Sequence, residues 1–222
     1  ALPFITGTIC AHRCQNRCSR NFYEESVQIR DTKLVAAEKG YGALMASIRR
    51  PAKVEGKKAA IIGGGPTGIA AAYFLGRAGV ETTIFEREEK LGGVPRYVIP
   101  AFRISDEALD KDVALMERLG VEVKCGAPAP SVEALKKLGY THILMATGAW
   151  QAGELGIPGN VKGVIGWMKE MKQQVKPCLE GHVVVVGAGN TAMDAARVAK
   201  RMGAHATILY RRTKKFMPAD AH

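Results

Sequence analysis

Residues 59–68 read Ala59-Ala60-Ile61-Ile62-Gly63-Gly64-Gly65-Pro66-Thr67-Gly68, and residues 81–86 read Glu81-Thr82-Thr83-Ile84-Phe85-Glu86. The short apolar run ahead of the glycines predicts a buried parallel strand. Gly63, Gly65 and Gly68 satisfy the spacing G-x-G-x-x-G. In that spacing the first glycine permits a tight turn and the second lets the backbone approach a pyrophosphate. The third lets the following helix pack closely on the strand. A helix over 69–78 follows, closed by Gly79 as a C-terminal cap, and then a second strand over 81–85. The helix N-terminus offers free N–H groups and the positive end of a dipole to phosphates. Glu86 falls about 20 residues beyond the turn, where an acid holds a ribose hydroxyl. The stretch predicts a Rossmann-type unit that binds a dinucleotide.

The pattern recurs once. A strand over 182–186 leads into Gly187-Ala188-Gly189-Asn190-Thr191-Ala192, the G-x-G-x-x-A variant, then a helix to 202 and a strand over 206–210. This second strand ends in Tyr210-Arg211-Arg212 with no acid. An acid there would bind the ribose 2′-hydroxyl and repel a 2′-phosphate, whereas arginine pairs with that phosphate. The second unit is therefore expected to take NADP(H) rather than NAD(H).

Between the two units, helices are expected over 105–119 and 131–138. Leu109, Val113, Met116 and Leu119 recur at helical spacing as core positions. A strand over 142–146 ends in Ala146-Thr147-Gly148. Residues 1–50 hold the clustered cysteines and two helix-like stretches, and 51–56 read as a linker. The expected division is a helical segment over 1–50, a dinucleotide-binding domain over 51–150 and a second over 151–222. The fold class is α/β: two Rossmann-like domains with parallel sheets, preceded by a small helical cysteine-containing segment.

The 222 residues are 47% hydrophobic, enough for a real core, and carry a formal charge of +11. The basic residues are spread as Arg49-Arg50, Lys57-Lys58, Lys136-Lys137 and Arg211-Arg212. They form no aromatic-interleaved stripe and no nucleic-acid module, so a solvated basic surface is expected and nucleic acid is not. No apolar run is long enough to span a membrane. The start, residues 1–10, lacks the basic region of a cleavable signal.

Three of the five cysteines, Cys10, Cys14 and Cys18, have the spacing C-x3-C-x3-C. That is a poor disulfide framework and suits zinc or iron–sulfur ligation, in a reducing, cytoplasmic setting. His12 reads as a surface histidine, with zinc ligation as the alternative. Cys125 and Cys178 stand alone and read as inert thiols. Disulfide reductases on this scaffold place a redox-active cysteine pair near the flavin, and no cysteine follows Gly92-Gly93 until Cys125.

Gly63-Gly64-Gly65-Pro66-Thr67-Gly68, Glu86, Leu91-Gly92-Gly93, Ile99-Pro100-Ala101-Phe102-Arg103, Ala146-Thr147-Gly148 and Tyr210-Arg211-Arg212 together resemble the glutamate synthase small-subunit family. That family includes the N-terminal part of dihydropyrimidine dehydrogenase. The stretch from Thr6-Gly7-Thr8-Ile9-Cys10 looks closest to a bacterial branch described as selenate reductase subunits.

The resemblance implies an oxidoreductase that takes electrons from NADPH through FAD and iron–sulfur clusters to a partner subunit or domain. It implies FAD held by Gly65, Pro66, Thr67, Gly68 and Ile69, with Glu86 on the ribose. Gly93, Val94, Arg103 and a backbone contact at Ala129 complete that set. NADPH falls to Ala188, Gly189, Asn190 and Thr191, with Arg211 and Arg212 on the 2′-phosphate. Cys10 and Cys14 would serve one [4Fe-4S] cluster and Cys18 another, shared with an upstream cysteine-rich segment that these residues do not include. The family's remaining ligand falls near Lys33, which cannot ligate when protonated. The resemblance also implies a C-terminal return to the FAD domain, so the expectation is an enzyme truncated at both ends. No acid or base is required of the protein, since the cofactors carry hydride transfer. The alternative reading is a non-catalytic interaction module on an incomplete nucleotide-binding fold.

Overall fold

A computed structural model describes residues 1–151, 153, 155–174 and 178–219. Contacts divide the chain into two units. One comprises residues 1–96 and 101–148, and the other residues 97–100 and 149–222.

The first unit begins with three helices, α1 (Pro3–Ile9), α2 (Arg13–Asn16) and α3 (Ile29–Ser47), with a 3₁₀ turn at Ser19–Phe22. The sequence pattern gives only two helix-like stretches here. Gly40 and Gly42 interrupt the apolar periodicity inside α3, which nonetheless runs unbroken. After an irregular 51–56 come β1 (Lys58–Ile62), α4 (Pro66–Arg77) and β2 (Glu81–Phe85). Next are α5 (Val94–Tyr97), α6 (Asp106–Glu117), β3 (Glu122–Lys124), α7 (Val132–Lys137) and β4 (His142–Met145). The strands form one parallel sheet in the order β3-β2-β1-β4.

Helix α4 starts three residues before the expected 69, because Pro66 takes the first helical position, where a missing N–H costs nothing. Helices α6 and α7 each begin one residue later than expected, because Ser105 and Ser131 stand outside them as capping residues. The Ala108 N–H donates to Ser105 Oγ and the Ala134 N–H donates to Ser131 Oγ.

Ile61, Ile69 and Ile84 are fully buried between β1, β2 and α4, with Leu115, Met116 and Leu119 of the α6 segment behind them. Each such aliphatic burial is worth about 1.5–3 kcal/mol. Leu109, Met116 and Leu119 are core, as their spacing predicts, while Val113 is half-buried against it. Asp112 of the same helix is also fully buried. Its two carboxylate oxygens accept the backbone N–H groups of Phe4 (3.0 Å) and Ile5 (2.7 Å), fastening α1 to α6. The Tyr41 hydroxyl of α3 donates to the Lys111 carbonyl, and its ring meets Phe4 edge-on.

The second unit contains α8 (Val164–Gln173), β5 (His182–Val186), α9 (Asn190–Arg201), β6 (His205–Leu209) and a 3₁₀ turn at Lys214–Phe216. Strands β5 and β6 pair in parallel and α9 packs on both. Helix α8 has no sequence signal at its start, where Gly163 stands in the capping position without a side chain to cap.

Candidate dinucleotide turns

The first turn joins β1 to α4. Gly63 has φ +109°, a left-handed conformation that disfavours any side chain, and its N–H donates to the Phe85 carbonyl at the end of β2. A methyl group on Gly68 would overlap the Gly63 carbonyl oxygen, so only hydrogen fits at the third glycine. Gly65 holds the N-cap position of α4 with no side chain capping the helix, which leaves first-turn N–H groups directed outward.

Glu86 is buried beside this turn. Its Oε2 accepts the Gly64 N–H (2.6 Å) and its Oε1 accepts the Glu88 N–H (2.9 Å). The acid that the spacing assigns to a ribose is thus joined to the glycine turn directly. Gly92 N–H donates to the Gly64 carbonyl (2.8 Å), bringing the Leu91-Gly92-Gly93 stretch against the turn. Gly93 lies so close that a Cβ on it would sit 2.8 Å from the Gly65 Cα. Pro66, Thr67, Gly68 and Ile69 open α4, with Thr67 exposed and Ile69 in the core.

Val94 begins α5 directly after Gly93. Arg103 lines a separate cavity of about 360 Å³ with Phe4, Leu34 and Lys111. Ala129 packs against the buried cluster of Ala60, Phe85, Leu135 and Tyr140. Burial pushes the Cys125 thiol up from its ordinary value, and the carboxylates of Glu86, Glu89 and Glu117 push the same way. A raised thiol fits the expectation of inertness.

The second turn joins β5 to α9. Gly187 has φ +131° and its N–H donates to the Leu209 carbonyl (2.9 Å), repeating the Gly63–Phe85 bond. Ala192 replaces the third glycine. Its Cβ lies 3.7 Å from where a Gly187 Cβ would stand, ordinary contact rather than overlap. Among the described residues nothing lies within 4 Å of a Cβ built on Gly189, so the backbone there is uncrowded by them. Ala188 is buried, Gly189 and Asn190 are half-buried and Thr191 is exposed.

Arg211 and Arg212 follow β6 and are exposed. Neither makes an ion pair among the described residues. Their loop is held by the Tyr210 hydroxyl donating to the Phe216 carbonyl and by the Ala219 N–H donating to Ala188.

The cysteines are less organised. Cys10 and Cys14 are exposed, Cys18 is half-buried, and all five cysteines are free thiols. Two backbone N–H groups, led by Val27, hold the Cys18 thiol below its usual range. Among the described residues, no group of three His, Cys, Asp or Glu side chains could hold a metal ion. Lys33 is exposed on α3.

His12 corrects the surface reading. It is buried, at φ +33°, with its ring nitrogen 3.4 Å from the Cys10 carbonyl and from Arg30 Nη1. Its place as the residue before α2 turns it inward, which its polar neighbours in the sequence do not reveal.

Arg96 is a further residue that sequence reasoning did not single out. It is the one charged residue in 91–100 and its side chain is buried. Among the described residues no helix is long and apolar enough to cross a membrane.

A family model for pyridine nucleotide-disulphide oxidoreductases matches residues 57–221. The chain is 42% identical, over 99% of its length, to Escherichia coli YgfK, an oxidoreductase by provisional name, and covers 22% of it. It is 35% identical over 99% of its length to the NADPH-Fe(3+) oxidoreductase subunit beta of Geobacter sulfurreducens, covering 34% of that protein. It is 30% identical over 99% of its length to the glutamate synthase [NADPH] small chain of Escherichia coli, covering 51%. The chain thus spans between about a fifth and a half of these relatives. The resemblance to glutamate synthase small chains read from the motifs is a homology along essentially the whole chain. With both glycine turns inside the matched region, the chain belongs to the pyridine nucleotide-disulphide oxidoreductase family.

Proposed function

We propose that this chain is the flavoprotein part of an NADPH-dependent oxidoreductase subunit that delivers electrons to a partner subunit or domain. The observation that carries the reading is the contrast between two similar glycine turns. One has a buried acid, Glu86, on its turn N–H, and the other is followed by two exposed arginines that make no ion pair among the described residues.

At the first turn the residues fit FAD. Gly65, Pro66, Thr67, Gly68 and Ile69 offer a backbone cradle and a helix N-terminus to the pyrophosphate, and Glu86 offers a carboxylate for the ribose. Gly93, Val94, Arg103 and Ala129 complete the set that the family resemblance assigns. At the second turn Ala188, Gly189, Asn190 and Thr191 fit the pyrophosphate of NADP(H). Arg211 and Arg212 supply cations for the 2′-phosphate. The bound nucleotides supply hydride transfer, and this chain's residues bind and orient them.

Cys10, Cys14 and Cys18 are assigned to [4Fe-4S] clusters completed by residues outside this chain, in a reducing, cytoplasmic setting. The reading includes no nucleic acid. The disulphide chemistry in the family's name is not part of it, since Cys125 and Cys178 are single free thiols.

The test is the visible spectrum of the purified protein with added FAD, before and after NADPH under anaerobic conditions. Bound flavin that NADPH bleaches is the expected result. Protein that retains no FAD, or whose flavin NADPH cannot bleach, contradicts the reading.

A further inference from the structure

Arg96 lies beneath the Leu91-Gly92-Gly93 stretch with its side chain only 5% exposed. Its Nε donates to the Leu91 carbonyl (2.5 Å) and its Nη2 donates to Asp110 Oδ1 (2.5 Å). Its Nη1 is buried, 3.5 Å from Asp106 Oδ1, and makes no hydrogen bond among the described residues. Asp106 and Asp110 stand four residues apart on α6 and therefore share one face. The planar guanidinium thus reaches a helix and a loop carbonyl at once, a double role that its fork geometry suits.

What it holds is the wall of the first turn. Gly92 has φ +133°, and a Cβ there would sit 2.7 Å from the Arg96 Cβ and 3.0 Å from its Nε. Gly92 N–H binds the Gly64 carbonyl and Gly93 abuts the Gly65 Cα. A continuous line of close contacts runs from α6 through Arg96 and residues 91–93 to the second glycine of the motif. A shift of the guanidinium has little free space to dissipate in before it reaches Gly65.

We propose that Arg96 is a positioning residue of the first turn. Its guanidinium, anchored on Asp106 and Asp110, fixes residues 91–93 and so sets how the Gly65 backbone meets a dinucleotide pyrophosphate. The proposal rests on the reading of that turn as the FAD site. A purely structural ion pair would affect folding stability alone, because dinucleotide affinity is measured on protein that is already folded.

The test measures the FAD dissociation constant by flavin-fluorescence titration of the purified protein, with thermal melting of the FAD-free form alongside. Arg96→Lys keeps a cation for Asp110 but cannot also serve Leu91, and is expected to weaken FAD binding about tenfold. Arg96→Met removes both bonds and weakens binding further. Asp110→Asn leaves the Leu91 bond and loosens only the anchor, so a smaller weakening is expected. It serves as the measure if the Arg96 variants do not fold.

NADPH affinity at the second turn should be unchanged in all three. FAD affinity equal to the parent's in the folded variants, with only melting lowered, overturns the proposal. A parent protein that binds no FAD overturns the reading beneath it as well, so the two failures are told apart by the parent alone.

Discussion

The two glycine turns share a backbone plan and differ in how they are held. In both, the first glycine takes a positive φ and donates to the carbonyl ending the neighbouring strand, Phe85 in one and Leu209 in the other. The first turn is then enclosed. Gly68 admits no side chain, Glu86 accepts from Gly64, and residues 91–93 close over Gly65. The second is open, with Ala192 accommodated at ordinary contact distance, no described residue near a Cβ on Gly189, and exposed arginines beyond the strand.

The sheets follow the same contrast. The middle of β1 is fully buried, whereas Val184 and Val186 of β5 are 52% and 47% exposed within the described residues. An enclosed turn suits a tightly held prosthetic nucleotide and an open one suits a co-substrate that enters and leaves.

Substitutions at the third position of each motif should separate the turns most sharply. Gly68→Ala places a methyl on the Gly63 carbonyl and is expected to cost about 2–4 kcal/mol in denaturant unfolding and to abolish FAD binding. The reverse change at the second turn, Ala192→Gly, should cost only about 1 kcal/mol. Equal costs would erase the distinction.

The arginines come next. Replacing Arg211 and Arg212 together with alanine is expected to weaken NADPH binding by about ten- to a hundredfold, while NADH binding changes little. Calorimetric titration with both nucleotides reads this directly. At the first turn, Glu86→Ala leaves the Gly64 N–H without its acceptor. It should lower stability by about 1–3 kcal/mol in the same unfolding assay, with weaker FAD binding.

The smallest effect concerns Asp112, whose burial raises its carboxyl above the ordinary value despite two backbone N–H donors. A carboxyl raised in the fold binds its proton more tightly there than in the unfolded chain. Its contribution to stability is therefore fully present below the ordinary aspartate value of about 4 and is lost as pH rises through the folded value. Urea unfolding across that window should show the parent losing stability relative to Asp112→Asn as pH rises. Parallel curves would mean that the carboxyl is not desolvated.

Much of this contrast was legible in the sequence, because it is written in local chemistry. The strand–turn–helix–strand order and the acid or arginine after each second strand follow from residue type and spacing. What escaped depends on contacts distant in the chain. Strand β3 has three residues, two of them charged, and exists because it pairs with β2. Asp112 looks like one more polar residue on an amphipathic helix, yet it accepts from Phe4 and Ile5. Glu86 binds Gly64 across 22 residues, and Arg96 is explained only by the α6 acids 10 and 14 positions away. The cysteine spacing names a chemistry, while the described residues bring no three ligands together.

The most direct test of two differently tuned sites is competition. The purified protein, saturated with FAD, is titrated calorimetrically with NADPH and with NADH, and the titrations are repeated on the Arg211→Ala/Arg212→Ala protein. The account predicts that NADPH binds without displacing FAD and at least about tenfold more tightly than NADH, a preference lost in the arginine variant. Displacement of FAD by NADPH, or a preference that survives removal of both arginines, would contradict it.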